Sequence, residues 1–163
     1  MEQRHAEDRV GPTPETARKL RADVVFKLHA AGRLRNEQKL AAEHIRDLLS
    51  EIERAMYPAR VMDGTQSIKV VGRVSSSPLE RMAPAKYRQW RDVYRPWAQE
   101  VRAIRTGAGA SALTIVVLLV EHNIGTWQIE KLLGLRNGTV LAIVQGALTR
   151  YAEIAGWVEK RVA

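Results

Sequence analysis

In the stretch TWQIEKLLGLRNGTVLAIVQGALTRY, residues 126–151, apolar side chains fall at Ile129, Leu133, Leu135, Val140 and Ile143. Counted from Thr126 these are the fourth, eighth, tenth, fifteenth and eighteenth positions, with Gly134 at the ninth. Two short helices that cross steeply need interlocking apolar contacts at that spacing and a glycine free to take positive φ between them. The spacing therefore predicts a helix-turn-helix. Thr126 is expected to cap a short helix through Leu133, and Asn137 to cap a longer one from Gly138 to about Tyr151. Ala110 to Glu121 forms the expected supporting helix, followed by a turn at Asn123–Gly125. The fifth position, Glu130, departs from the pattern, because a small residue is expected where the helices approach. Its carboxylate is expected to tilt outward or to open the crossing.

The second helix is the expected reader of DNA, and its exposed candidates are Arg136, Asn137, Thr139, Gln145 and Arg150. Leu141, Ala142 and Gly146 offer no hydrogen bonds. Arginine reads guanine and Gln or Asn reads adenine, at roughly 1–3 kcal/mol for each good bidentate pair. So short a supply implies weak specificity when the module acts alone. A tri-helical fold that docks protein through its apolar face would account for the same pattern. The run Leu132-Leu133-Gly134-Leu135-Arg136-Asn137-Gly138-Thr139-Val140 resembles region four of sigma factors and related regulators.

Working outward, residues 1–12 lack apolar periodicity and are expected to form a flexible tail. Residues 13–57 are expected to form a helical hairpin. Thr13-Pro14-Glu15 starts its first helix, with Leu20, Val24, Val25 and Leu28 on one face and Gly32 at the exit. Its second helix follows Asn36, carries Ala41, Ile45, Leu48, Leu49, Ile52 and Met56 at helical spacing, and stops at Pro58. Residues 58–79 form an irregular connection in which Ile68–Val71 and Arg73-Val74 suit a short hairpin.

Residues 80–106 are expected to form a basic aromatic helix. Tyr87, Trp90, Tyr94 and Trp97 share one stripe, which favours packing inward over stacking on single-stranded nucleic acid, and Arg88, Arg91, Arg95, Arg102 and Arg105 beside it are the candidate contacts to polymerase or to a nucleic-acid backbone. Pro96 is expected to kink this helix by pushing Arg95 out of helical geometry. Gly107-Ala108-Gly109 is expected to be a flexible joint leading into a separate module at 110–163. The fold class expected is thus all-α: helical hairpin, irregular loop, kinked basic helix and helix-turn-helix.

Composition narrows the functions. The 163 residues carry 26 Lys+Arg against 18 Asp+Glu, a formal charge of +8. By region the excess is +2 over residues 1–60, +5 over 61–110 and +1 over 111–163. An anionic partner is favoured, nucleic acid being the commonest, although a basic surface also serves solubility. The absence of cysteine excludes disulfide scaffolds, thiolate zinc sites and cysteine nucleophiles. The apolar run Ala112–Val120 is too short to span a bilayer, and Met1–Asp8 lacks the apolar segment of a secretory signal. A soluble, cytoplasmic protein without membrane contact is expected.

No enzyme, cofactor or metal is expected either. His5, His29, His44 and His122 are scattered, Glu51 and Glu53 face different ways on a helix, and Gly107–Ser111 lacks the lysine of a phosphate loop.

Three segments taken in order carry a wider resemblance: Leu34-Arg35-Asn36-Glu37-Gln38-Lys39-Leu40-Ala41-Ala42-Glu43-His44-Ile45-Arg46, the Ser77-Pro78-Leu79-Glu80-Arg81 entry to the basic helix, and the C-terminal tri-helical unit. Over roughly residues 28–158 they resemble the domain of gene-transfer-agent activators, which stands alone as GafZ or forms the C-terminal part of GafA. That resemblance implies a transcription antitermination factor similar in role to the Q proteins of lambdoid phages. Such a factor loads on RNA polymerase near a promoter, partly by touching DNA, and then promotes read-through of terminators near the RNA exit channel. The implied partners are core polymerase with NusA, NusG and NusE, DNA, and nascent RNA. Two other readings stay open: an autonomous DNA-binding regulator or phage-like DNA-packaging recognition subunit, and a structural adaptor that binds no DNA.

Overall fold

The computed structural model describes residues 23–56 and 77–158. The expected tail, the helix start at Thr13-Pro14 and the short hairpin at Ile68–Val74 lie outside them. Every regular element among the described residues is helical, so the protein is all-α. In chain order these are α1 (Val24–Ala30), α2 (Asn36–Met56), a 3-10 turn (Pro78–Arg81), α3 (Pro84–Gln89), a π-helical segment (Trp90–Tyr94), α4 (Arg95–Ala103), α5 (Ala112–Val120), α6 (Thr126–Leu133) and α7 (Thr139–Ile154). No described helix is long and apolar enough to cross a membrane.

α1 has its N-terminus at Asp23, which is extended (φ −67°, ψ 121°) and whose carboxylate accepts from the amides of Val25 and Phe26. Arg46 of α2 donates both to Asp23 and to the Val120 carbonyl at the end of α5, tying three elements together.

The basic helix differs from expectation. Ser77 caps the 3-10 turn, Met82 is extended, and regular helix begins only at Pro84. Arg95 stays helical (φ −60°, ψ −52°), and its amide bonds the Trp90 carbonyl five residues back. Proline lacks an amide hydrogen and its ring crowds the carbonyl four residues earlier. A wider π turn just before Pro96 relieves that crowding without breaking the helix. It also rotates the aromatic stripe. Seven residues bring an ordinary helix back to within about 20° of its start, and one extra residue in a turn shifts the face by about 100°. The four rings accordingly separate into two pairs, Tyr87 with Trp90 and Tyr94 with Trp97.

Trp97 goes to the core, where it is fully buried and donates Nε1–H to the Ala147 carbonyl at 2.8 Å. Its ring meets that of Tyr151 edge-on at 5.3 Å, and Val101, Ile115, Leu119, Val144 and Leu148 belong to the same core. α5 is apolar on nearly all sides and is buried accordingly. α7 packs against α2, α4, α5 and α6, so the expected C-terminal module shares one core with the hairpin and the basic helix. Nor is Gly107–Gly109 a loose joint. Arg105 and Ser111 form an antiparallel bridge, and the Thr106 amide, the Thr106 hydroxyl and the Ala112 amide each bond a carbonyl across the loop.

Candidate nucleic-acid interface

α6 and α7 meet through residues 134–138. Gly134 (φ 63°) ends α6 and Gly138 (φ 83°) stands immediately before α7, both in the left-handed region that a β-carbon penalises. Gly125, and not Thr126, precedes the first helix, with the Gln128 side chain returning to the Gly125 amide at 3.0 Å. Asn137 makes no capping bond to α7. The cap comes from Glu130, which is 4% exposed and accepts from the Val140 amide at 3.2 Å. The carboxylate therefore turns inward, against the outward tilt expected of it. It meets the unpaired amides and positive dipole end of α7, where an anion is favoured. The expected contact positions hold: Ile129 and Val140 are fully buried, and Leu133, Leu135 and Ile143 pack against the same core.

The five candidate readers do not act as a set. Arg136 and Asn137 are exposed on the turn, and Thr139 is half-buried at the start of α7. Gln145 donates its side-chain amide to the Arg33 carbonyl at 2.6 Å, while its backbone carbonyl accepts from the side chain of the buried Gln38 at 3.0 Å. Arg150 pairs with Glu100 on α4 and with Glu153 on its own helix. Gln145 and Arg150 thus hold α7 to α2 and α4, and a base would have to displace those bonds. The exposed residues of α7 are Ala142 and Gly146.

Arg88, Arg91, Arg95, Arg102 and Arg105 are all exposed, as the sequence suggests. Two have local partners: Arg91 is bonded to Asp92 at 2.6 Å, and Arg105 donates to the Gly109 carbonyl. Arg95 lies 5.8 Å from the centre of the Trp90 ring. The inward packing expected of the stripe holds for Trp97 and, in the main, for Tyr94. Burial and then Glu121 push the Tyr94 hydroxyl above its ordinary range. Tyr87 and Trp90 keep part of their surface in solvent.

The spacing argument did not single out α6 as a surface. Trp127 and Leu132 are 65% and 67% exposed, with Lys131 lying 5.3 Å from the centre of the Trp127 ring. Their place outside the apolar repeat was the available signal. Elsewhere, His44 Nδ1 lies 3.0 Å from the Tyr151 hydroxyl oxygen and 2.9 Å from the Gln89 side-chain nitrogen, and the His44 ring contacts the Trp157 ring. Burial, helped by Lys86 and opposed by Asp47, holds His44 below the ordinary imidazole range. The same burial pushes the Tyr151 hydroxyl up to about 12.

No protein-family model, curated protein or solved structure matches the chain.

Proposed function

We propose that this protein is a cytoplasmic, non-enzymatic transcription factor that touches duplex DNA weakly and completes its recognition on RNA polymerase, where it promotes terminator read-through. The observation that carries this reading is the division among the candidate readers. Arg136 and Asn137 are free at the α6–α7 turn, with Thr139 beside them, whereas Gln145 and Arg150 are already paired, with the Arg33 carbonyl and with Glu100 and Glu153. Such a surface suits phosphate contact and one or two base contacts, each worth roughly 1–3 kcal/mol. That falls short of the several contacts an autonomous regulator uses. The exposed arginines of α3, α4 and the π segment suit an anionic second partner, and the exposed Trp127 and Leu132 suit a protein surface. Antitermination itself comes from the resemblance to gene-transfer-agent activators. It brings with it the sigma-like helix-turn-helix and the assignment of core polymerase with NusA, NusG and NusE.

The test is single-round transcription with matched initiation, on a template carrying the cognate promoter and a hairpin terminator, with the elongation factors present. The protein is expected to raise the fraction of read-through transcripts, and Arg136→Ala with Asn137→Ala to reduce its loading. An unchanged ratio of terminated to read-through RNA refutes the antitermination reading. Tight, site-selective DNA binding without polymerase supports an autonomous regulator instead.

A further inference from the structure

The π turn leaves one hollow that the reading above does not use. Trp90, Tyr94, Arg95, Gln99, Arg102 and Leu113 line a shallow depression of about 220 Å³. Tyr87 stacks on Trp90 with ring centres 5.8 Å apart and planes 30° apart, and the Arg95 guanidinium lies 5.8 Å from the Trp90 ring centre. Three planar groups thus stand beside one another at the surface, with a second free-standing arginine, Arg102, in the same hollow. No carboxylate among the described residues lines it. The two carboxylates of the same helical run are paired, Asp92 with Arg91 and Glu100 with Arg150.

We infer that this hollow binds single-stranded nucleic acid, with one unpaired base stacking on Trp90 and the flanking phosphates held by Arg95 and Arg102. An exposed cation–π contact is weaker than a base stack. An incoming base therefore displaces the Arg95 guanidinium from the ring, and the released guanidinium takes a phosphate, for which its fork is better suited. Glu121 acts on Tyr94 from the end of α5, so the phosphates are assigned to the arginines and not to the Tyr94 hydroxyl. Duplex DNA offers no free base face, and an acidic protein surface would use the arginines but gain little from the ring. Single-stranded RNA and single-stranded DNA share the required chemistry. The inference shares Arg95 and Arg102 with the reading above but needs neither promoter nor polymerase.

The experiment measures fluorescence anisotropy of the full chain with a labelled oligouridylate, the matching oligodeoxyuridylate and a duplex. Both single strands are expected to bind, with affinity falling as salt rises, and their relative strength identifies the preferred sugar. Trp90→Leu, checked for unchanged circular dichroism and melting, is expected to weaken single-strand binding by about 5- to 150-fold, the contribution of one base stack. It should leave duplex binding unchanged. Arg102→Glu, at an exposed position, should also weaken single-strand binding, and a thiouracil-substituted strand should photo-crosslink within residues 87–102. Should Trp90→Leu not fold, Arg102→Glu and the crosslink map decide. A folded Trp90→Leu that binds single strands like the parent overturns the inference, as do crosslinks confined elsewhere. Loss of polymerase capture with single-strand binding intact overturns it too, and makes the hollow a protein contact. Read-through that fails while Trp90-dependent oligonucleotide binding persists removes the antitermination reading alone.

Discussion

Replacing Glu130 by Ala tests whether the buried carboxylate supports the α6–α7 junction or burdens it. The substitution removes the acceptor for the Val140 amide at the start of α7. Loss of a capping side chain costs about 1 kcal/mol, and loss of an anion from a helix N-terminus a further 0.3–1 kcal/mol or so. One methylene leaves the interior with it, at about 0.8 kcal/mol. Against these stands the relief of a carboxylate that is only 4% exposed and must shed most of its hydration to sit there. The net expectation is a loss of about 1 kcal/mol. For a chain of this size that lowers the midpoint of thermal unfolding by about 2–4 °C. Glu130→Gln keeps an acceptor and the methylenes while shedding the charge, so it should remain within about 0.5 kcal/mol of the parent.

Thermal melts followed by circular dichroism give the order parent, Gln, Ala. Hydrogen exchange adds the location: in the Ala variant the Val140 amide and its neighbours should lose protection before the centre of α7 does. An Ala variant as stable as the parent would refute the reasoning, because desolvation would then outweigh everything the carboxylate does for the helix. Since Arg136, Asn137 and Thr139 lie beside that helix start, fraying there should also weaken DNA contact.

Three further outcomes follow from the same geometry. Trp97→Phe removes the bond to the Ala147 carbonyl and opens space in the core, so it should destabilise by about 1–3 kcal/mol in denaturant titration. His44 has its folded pKa held below the unfolded value of 6.5, so the unfolded chain binds the extra proton first. The stability it supports is complete above that unfolded value and is lost as pH falls through the folded one; His44→Gln should flatten this part of a stability-versus-pH profile. Gln145→Ala should lower the melting temperature slightly and leave base preference unchanged, whereas Arg136→Ala should weaken DNA binding with little effect on melting. The opposite pattern, read from paired melts and gel shifts, would return Gln145 to the reading face.

What the sequence made legible follows from the range of its signals. Apolar spacing reports which residues share a face, and it located Ile129, Leu133, Leu135, Val140 and Ile143 on the common core, with Gly134 at the turn. The same spacing cannot name a polar partner. Gln145 looked free because the Arg33 carbonyl that takes its amide lies 112 residues away in the chain, and Arg150 because Glu100 lies 50 residues away. Glu130 failed for a related reason: crowding at the crossing was legible, but the unpaired amides of the next helix, which accommodate a carboxylate there, belong to the folded junction. The aromatic stripe failed through geometry. Placing four rings on one stripe carries the 3.6-residue repeat across Pro96, where a kink is expected from the sequence and a π turn stands instead. Once the π turn is allowed, burial of Trp97 and partial exposure of Trp90 cease to conflict, because the extra residue sends them to different faces. The stability of the core and the availability of the surface ring thus arise from one local event. A substitution that restored regular helix here, such as Pro96→Ala, would have to choose between them: keeping Trp97 in place would swing Trp90 toward the interior and remove the hollow beside Arg95 and Arg102.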